Sequence, residues 1–245
     1  MMNKKRLDVL MTEKGLIESR QKAQGIIMAG LVRVNGEKID KPGQRVNTLA
    51  SINIIDADNP YVSRGGIKLD AALKGFGLNV NGLTMLDVGA STGGFTSCLL
   101  EHGAKKVIAV DVGYGQMAWS LRKDPRVFLI ERTNIRYLER ESLNEAIDGA
   151  VIDVSFISLR IVVPATLRLL KNDSFLLALI KPQFEAGKGM VGKGGIIRDE
   201  ALQRHIVDDL VKYFKEIGLL VVGELESPIK GAKGNKEFFV YLRRQ

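Results

Sequence analysis

Residues 86–96 read Leu86-Asp87-Val88-Gly89-Ala90-Ser91-Thr92-Gly93-Gly94-Phe95-Thr96. The apolar residues at the start of this stretch predict the end of a strand, and residues 95–102 predict a helix. Glycines between a strand and a helix let a ligand approach the backbone closely, because they carry no side chain. The segment therefore predicts a nucleotide-binding turn in an α/β fold.

Around this turn, short apolar runs alternate with amphipathic stretches. The runs are 85–88, 106–110, 127–130, 149–152 and 176–180. Such alternation is typical of a parallel sheet with crossover helices. Two further runs, 219–224 and 237–242, follow a helical stretch around 201–217 and fit an antiparallel pair. We therefore expect an α/β domain of the Rossmann-like type, with a mostly parallel seven-stranded sheet and an antiparallel last strand.

Three details of the turn bear on its ligand. The spacing of Gly89, Gly93 and Gly94 differs from the G-x-G-x-x-G spacing of dinucleotide enzymes, and Asp87 precedes these glycines. Asp111 ends the next strand, where its carboxylate can accept hydrogen bonds from ribose hydroxyls. The pattern D-x-G-x-x-x-G-G-F resembles the motif of S-adenosylmethionine-dependent methyltransferases. An NAD site and a purely structural turn stay open as alternatives.

The resemblance implies S-adenosylmethionine as the cofactor. Its methionine end would face the glycine turn, its ribose Asp111, and its adenine the segment around residues 133–135. The residues expected to bind it are Asp87, Gly89, Ala90, Ser91, Thr92, Gly93, Gly94, Phe95, Asp111, Val112 and Asn134.

Charged residues lie at the ends of several predicted strands. Asp153 and Lys181 each follow an apolar run, Glu237 begins the last strand, and Lys68 lies at the entry to the first helix of the sheet domain. The carboxyl ends of parallel strands meet at one edge of a sheet, where α/β proteins bind ligands. Each residue alone also fits a helix cap, an ion pair or a surface charge. Charged residues that end apolar strands are rarely buried without a partner, so together they predict an active site.

These four residues resemble the Lys-Asp-Lys-Glu tetrad of FtsJ-like ribose 2′-O-methyltransferases. The motifs shared with that family are Arg64/Lys68/Leu69, Asp87/Gly89, Asp153, Lys181-Pro182-Gln183-Phe184 and Glu237. The resemblance implies methyl transfer to a ribose 2′-hydroxyl. Lys181 is the principal catalytic candidate, either as an ammonium that stabilises the developing alkoxide or as a neutral amine that accepts the proton. Asp153 would orient Lys181, and Glu237 would orient Lys68 or Lys181.

Residues 4–55 predict a compact basic unit. Two short helical patterns, the second from Arg20 to Ala29 with Ser19 as its N-cap, precede a hairpin turning at Asn35-Gly36 and a strand ending near Ile55. The order helix, helix, V-x-V-N-G, K-P-G resembles the alpha-L RNA-binding domain of the ribosomal protein S-four type, a small α+β fold.

This domain, fused to an FtsJ-like domain, resembles the TlyA family, whose members are often labelled hemolysins or ribosomal RNA methyltransferases. The resemblance implies ribosomal RNA or ribosomal subunits as the partner, with cytidine as the target nucleoside. We expect the RNA-binding domain at 1–58, a linker at 59–66 and the methyltransferase domain at 67–245. The expected RNA contacts are Arg6, Arg20, Lys22, Arg33, Lys41, Arg64, Lys188, Lys193 and Lys233.

Composition narrows the function classes. The 245 residues carry a formal net charge of +8, which favours a polyanionic partner. No apolar run approaches the roughly 20 residues of a membrane-spanning helix, and charges interrupt the N-terminal segment, so we expect a cytoplasmic protein. One cysteine and two histidines argue against a disulfide and against a zinc site, and we expect no metal. Cys98, Trp119 and Phe128 are expected in the core, and His102 at a helix end.

Two other functions stay open. A membrane-acting, hemolysin-like protein would suit the positive charge, but it needs a spanning segment or a strongly amphipathic surface helix. An RNA-binding factor for ribosome assembly, with a non-catalytic methyltransferase domain, would suit the N-terminal unit. The complete tetrad argues against that second alternative.

Overall fold

The structure, a computed structural model of the chain, describes residues 4–28, 30–54, 59–187, 189–192, 194–231 and 233–244. A small N-terminal part has its own apolar core, and a larger part contains a seven-stranded sheet.

The N-terminal part is an α+β unit. It consists of β1 (Lys4–Arg6), α1 (Leu7–Glu13), α2 (Arg20–Met28), β2 (Val32–Val34), β3 (Glu37–Ile39), β4 (Arg45–Asn47) and β5 (Ile52–Ile54). β1 pairs with β4, and β2 pairs with both β3 and β5, all antiparallel. The apolar sides of the helices and strands pack together around Leu7, Met11 and Ile27, which are fully buried. The small α+β fold expected from the sequence is confirmed.

The helix cap and the hairpin turn expected in this part are both present in the structure. The Ser19 hydroxyl accepts a hydrogen bond from the Lys22 N–H over 3.3 Å at the start of α2. Asn35 and Gly36 have φ values of +51° and +85°, which a two-residue hairpin turn of type I′ requires. Ile55, the expected strand end, lies outside the described residues, as does Ala29, the expected end of α2.

The larger part is built on seven strands. They are β6 (Thr84–Val88), β7 (Lys106–Val110), β8 (Val127–Ile130), β9 (Gly149–Ile152), β10 (Phe175–Ile180), β11 (Leu219–Glu226) and β12 (Phe238–Arg244). Their order is β11-β12-β10-β9-β6-β7-β8. β12 is antiparallel to both of its neighbours, and every other neighbouring pair is parallel. The Rossmann-like fold with an antiparallel last strand is confirmed.

Helices cover both faces of this sheet. They are α3 (Arg64–Gly75), α4 (Gly94–Glu101), α5 (Trp119–Arg122), α6 (Leu159–Leu167), α7 (Pro182–Glu185) and α8 (Glu200–Glu216). Residues of α3 and α4 belong to one apolar cluster, and residues of α6 and α8 belong to a second. Strand β10, which lies inside the sheet, is therefore buried along its whole length, and this explains its continuous apolar sequence.

Two expectations about the core are wrong. Trp119 is 53% exposed and Phe128 is 49% exposed. Phe128 lies on β8, an edge strand of the sheet. Trp119 begins α5 and lies close to Gly36 of the N-terminal part, so it packs between the two parts of the chain and not inside either one.

Two further points concern the chain's organisation. Helix α3 begins at Arg64, so residues 64–66 of the expected linker form the first turn of a helix. Among the described residues, no helix combines the length and the apolar character needed to cross a bilayer.

Candidate active site

The glycine turn between β6 and α4 packs tightly against the loop after β9. Gly89 and Gly93 have φ values of +86° and +94°, a region that residues with side chains rarely adopt. A Cβ at Gly89 would overlap the backbone carbonyl of Asp153, and one at Gly94 would overlap the hydroxyl of Ser63. The glycines are therefore required for the conformation of the turn and for its close packing.

Asp87 lies beneath this turn. Its side chain is fully buried and accepts a hydrogen bond from the Thr96 hydroxyl over 2.6 Å. Burial raises the pKa of Asp87 to about 7; the Thr96 hydrogen bond opposes this rise, and the charges of Asp153 and Asp111 add to it. Asp87 was expected at the cofactor, but the structure places it under the turn. Thr96, which holds it there, was not singled out from the sequence.

A cavity of about 470 Å³ opens at the carboxyl ends of β6 and β7. Its wall includes five of the expected cofactor residues: Gly89, Ser91, Asp111, Val112 and Asn134. The Asp111 carboxylate accepts hydrogen bonds from the backbone N–H of Ser91 at 2.8 Å and of Gly113 at 2.6 Å. Asp111 therefore ties the glycine turn to the loop after β7 while remaining on the cavity wall.

Phe156 and Gln116 line the same cavity and were missed from the sequence. Phe156 is 88% exposed, has a φ of +63°, and packs its ring 4.7 Å from that of Phe184. The Gln116 amide lies 3.2 Å from the Ser91 hydroxyl. Phenylalanine is usually buried, so only the position of Phe156 three residues after Asp153 hinted at this exposure.

A second cavity, of about 210 Å³, shares Gly89, Ser91 and Asp153 with the first. The rest of its wall consists of Ser63, Arg64, Gly65, Lys68, Ala90, Thr92, Gly94, Phe95 and Lys230. Gly93 was also expected here, but it packs towards Leu121. The two cavities follow the glycine turn as one crevice with an exposed aromatic ring at one end and charged groups at the other. Its shape and lining suit a nucleoside with a charged extension.

The four expected catalytic residues form two ion pairs beside the second cavity. The Lys68 Nζ lies 2.5 Å from a carboxylate oxygen of Glu237, and these residues are only 9% and 3% exposed. Lys181 pairs with Asp153 and donates a hydrogen bond to the Ser155 hydroxyl over 3.1 Å. Lys68 and Asp153 contribute directly to the cavity wall, so one member of each pair faces the same space.

The strand register brings these residues together. The last residue of β10 lies opposite the first residue of β12, so Lys181 and Glu237, one position beyond them, are neighbours. Asp153 directly follows β9, which pairs with β10 on its other side. Lys68 is supplied by α3 and reaches Glu237 across the edge of the sheet. A cationic and anionic surface is thus assembled at the carboxyl ends of the parallel strands.

Two of the basic residues expected to bind RNA also hold the small part together. Arg6 and Arg20 both contact the carboxylate of the fully buried Asp8, at 3.0 Å and 2.9 Å. These contacts, led by the hydrogen bonds from Arg6, hold the pKa of Asp8 well below its usual range. Lys22 pairs with the exposed Glu18 at 3.1 Å. Part of the basic surface is therefore engaged within the chain.

The other expected RNA contacts lie in separate areas. Arg33 is half-buried on β2, and Lys41 is exposed after β3. Arg64 lines the second cavity and donates to the Lys230 carbonyl over 3.3 Å. Lys233 lies beside Gly195. The remaining two, Lys188 and Lys193, lie outside the described residues.

Comparison with known proteins finds relatives of both parts. Residues 61–244 match the family described as FtsJ-like methyltransferase, and residues 5–48 match the S4 domain. The chain is 45% identical over 246 residues to the 16S/23S rRNA (cytidine-2′-O)-methyltransferase TlyA of Mycobacterium tuberculosis, covering 100% of this chain and 92% of that protein. It is also 45% identical over 238 residues to Hemolysin A of Brachyspira hyodysenteriae, covering 97% and 99%.

A solved structure also matches along the whole length. The "putative hemolysin" from Streptococcus thermophilus is 42% identical and superposes with a TM-score of 0.81, covering 100% of this chain and 90% of that one. The chain is therefore similar to these relatives along its whole length, and not only within the S4 domain or the FtsJ-like domain taken separately.

Proposed function

The chain belongs to the FtsJ-like methyltransferase family, in the TlyA group that carries an S4 domain. From this membership we propose that it transfers a methyl group from S-adenosylmethionine to a ribose 2′-hydroxyl of ribosomal RNA. We infer cytidine as the target, because the relative from Mycobacterium tuberculosis is named for that nucleoside. The observation that carries the proposal is the set of two ion pairs, Lys68–Glu237 and Lys181–Asp153, because one member of each pair, Lys68 and Asp153, lines the same cavity.

The crevice has the groups that S-adenosylmethionine needs. Asp111 offers a carboxylate to ribose hydroxyls, and Phe156 and Asn134 border the space for an adenine. The backbone of the glycine turn borders both cavities at Gly89 and Ser91, so the charged methionine end can approach it closely. Asp153 borders both cavities and places a negative charge where a sulfonium is attracted. When bound, S-adenosylmethionine supplies an electrophilic methyl group.

Lys181 acts on the attacking oxygen. A ribose 2′-hydroxyl is a poor nucleophile, so it must be positioned and its developing negative charge must be stabilised. The Lys181 ammonium, held by Asp153 and Ser155, is available to donate a hydrogen bond to this oxygen. With the cofactor bound, a lone pair of this oxygen would form the new bond to the methyl carbon while the sulfur–methyl bond breaks and leaves its electron pair on sulfur. The hydroxyl proton would pass to water, and Lys181 would keep its own protons.

Lys68 contributes a second cation to the same wall. Because Glu237 fixes its ammonium, Lys68 is held in one orientation towards the cavity. We assign it the task of orienting the target nucleotide, and Glu237 is a positioning residue that acts through Lys68.

The S4-type domain recruits the substrate. We place this domain at residues 1–58, the linker from residue 59 to the start of α3, and the methyltransferase domain after it. The exposed Lys22 and Lys41 contact phosphates, which gives affinity and salt dependence but little sequence information. An enzyme that modifies ribosomal RNA acts where ribosomes assemble, so we place this activity in the cytoplasm.

Methyl transfer tests the proposal directly. Labelled S-adenosylmethionine is incubated with ribosomal subunits, and with naked ribosomal RNA, that lack the modification. The wild-type protein should produce 2′-O-methylcytidine, and Lys181→Ala should produce none while it still binds the cofactor. Lys212→Ala, at an exposed position of α8, is the matched control and should behave like wild type. A folded wild-type protein that does not bind the cofactor would contradict the proposal.

A further inference from the structure

Outside the crevice, the described residues contain one cluster that combines the three common zinc-ligating groups. Asp70 lies on α3, Cys98 on α4, and His102 directly after α4. One carboxylate oxygen, the thiol sulfur and one ring nitrogen all lie within 4.8 Å of one another. Cys98 and His102 are four positions apart, so one turn of helix places both side chains on the face that meets α3.

The contacts within the cluster already bring the ligand atoms together. The His102 Nε2 lies 2.8 Å from an oxygen of Asp70, and the second oxygen of Asp70 lies 2.7 Å from Lys74. The Cys98 thiol is fully buried, and the Tyr61 side chain lies beside it. The side chains of Asp70 and His102 are 20% and 28% exposed, which gives an ion a path from solvent.

The donor set selects the kind of metal. Thiolate, imidazole and carboxylate together are typical ligands of Zn²⁺, whereas Mg²⁺ and Ca²⁺ take oxygen ligands. Zinc–ligand bonds of about 2.0–2.3 Å in a tetrahedron put neighbouring ligand atoms about 3.3–3.8 Å apart. Small rotations of the partly exposed side chains of Asp70 and His102 bring atoms that lie within 4.8 Å to this spacing.

We propose that Asp70, Cys98 and His102 form a binding site for one Zn²⁺ ion, with water as the fourth ligand. On binding, the thiol of Cys98 loses its proton to water and the sulfur bonds to the metal as a thiolate. The charges of the thiolate and the carboxylate balance that of the ion. The small number of cysteines and histidines does not prevent this site, because it needs one of each and a carboxylate completes the set.

The site has a structural role. It joins α3, which carries Lys68, to α4, which begins at the glycine turn. An ion that binds the folded state and not the unfolded state stabilises the folded protein, by an amount that grows with the logarithm of the ion concentration. The metal therefore holds together the two helices that frame the second cavity, without contacting substrate or cofactor.

Cobalt substitution tests the site in the full-length protein. Metal-free protein is titrated with Co²⁺, and the wild type should give one equivalent of tetrahedral d–d absorption together with a thiolate-to-cobalt charge-transfer band, both displaced by Zn²⁺. Cys98→Ser should lose the charge-transfer band, and His102→Ala should weaken Co²⁺ and Zn²⁺ binding by about tenfold or more. His205→Ala, which removes the other histidine, on α8, is the matched control and should bind like wild type.

Thermal unfolding gives a second readout if the buried Cys98→Ser variant does not fold. Zn²⁺ should raise the Tm of the wild type and of His205→Ala, and it should have little effect on His102→Ala or Asp70→Asn. The proposal is overturned if the wild type shows no charge-transfer band. It is equally overturned if His102→Ala binds Zn²⁺ as tightly as the wild type, or if the loss of binding follows His205→Ala. None of these results depends on methyl transfer.

Discussion

The ammonium of Lys68 lies 2.5 Å from a carboxylate oxygen of Glu237, although the two residues are 169 positions apart in the chain. Both are buried, so each needs the other as a counter-ion. This pair links the first helix of the methyltransferase domain to the last strand of its sheet. The pair stabilises the fold, and through Lys68 it also forms part of the wall of the active-site cavity.

The first prediction separates the contribution of this ion pair to stability from its contribution to methyl transfer, by comparing a single with a double variant. Glu237→Leu should lower the free energy of unfolding by about 3–5 kcal/mol, because it leaves the Lys68 charge buried without a partner. The double variant Lys68→Met/Glu237→Leu should regain most of that loss, because no charge remains buried. Methyl transfer should be absent in both.

Urea unfolding and the methyl-transfer assay measure the two effects. Glu216→Ala, which removes an exposed partner of Lys212 at 3.9 Å, serves as the control and should change stability by less than about 0.5 kcal/mol. If the double variant were as unstable as the single one, the pairing would not be the source of the loss.

The second prediction concerns the glycine turn. Gly89→Ala should abolish cofactor binding, because the new Cβ must displace the backbone carbonyl of Asp153, the residue that pairs with Lys181. It should also destabilise the fold by more than the roughly 1 kcal/mol cost of a positive φ alone. Gly77→Ala has a comparable φ of +63° but an open surrounding, and so isolates that backbone cost.

Calorimetric titration with S-adenosylmethionine and urea unfolding distinguish the two variants. Gly77→Ala should bind normally and lose only the backbone contribution. If the two variants had the same cofactor affinity and the same unfolding free energy, the close contact between Gly89 and Asp153 would not be the cause of the effect.

The inner strands β6, β7, β9 and β10 could be predicted from the sequence because they are buried on both faces. The runs 106–110, 127–130 and 149–152 match the observed strands β7, β8 and β9 at both ends, since polar and turn residues bound each apolar run. The expected tetrad residues were placed at strand ends by the same reasoning. Periodicity along a chain reports burial and local geometry, and both are decided largely by neighbouring residues.

Periodicity does not predict which side chains pair. The family resemblance implied the pairing of Asp153 with Lys181, but it left open whether Glu237 pairs with Lys68 or with Lys181. That Lys68 contacts Glu237, and that Arg6 and Arg20 share Asp8, depends on where distant elements meet. Basic residues look alike in sequence whether they face RNA or a buried carboxylate. Likewise, the exposure of Phe156 and Trp119 depends on the loop and the neighbouring part that each one contacts.

The third prediction follows from the buried Asp87. Its pKa is raised from an ordinary value of 3.8 to about 7 in the folded protein, mainly by burial. Between these values the folded state keeps a proton that the unfolded state has lost. Its contribution to stability is therefore fully present below about pH 3.8 and is lost as the pH rises towards 7, by up to about 1.4 kcal/mol per pH unit.

Asp87→Asn removes this dependence while keeping an acceptor for the Thr96 hydroxyl. The difference in unfolding free energy between Asp87→Asn and the wild type should shift in favour of the variant as the pH is raised from 5 to 7. Urea unfolding at both values measures it, and the comparison between two proteins cancels the titration of all other groups. A difference that does not change with pH would mean that Asp87 is ionised throughout.

The last prediction concerns the carboxylate that organises the small domain. Asp8 is fully buried and accepts hydrogen bonds from Arg6, Arg20 and Gln24, the last at 2.9 Å. These bonds connect β1 and α1 to α2, the elements that present the basic residues expected to hold RNA. Asp8→Ala should therefore destabilise this domain by at least about 1.5–3 kcal/mol, the usual contribution of a hydrogen bond to a charged group.

Glu13→Ala is the matched control, because it removes an acidic residue of the same helix that pairs with Lys5 at the surface, and it should cost less than about 1 kcal/mol. Amide hydrogen exchange over residues 4–54 measures the stability of the small domain separately from the larger one. Cofactor binding should be unchanged in both variants, since the crevice lies in the other domain. Because Asp8 stabilises the domain only while ionised, protection in the wild type should fall as the pH drops below its unfolded value of 3.8, and Asp8→Ala should lack this fall. Equal protection in the two variants at neutral pH would show that Arg6 and Arg20 are free for RNA and do not hold the domain together.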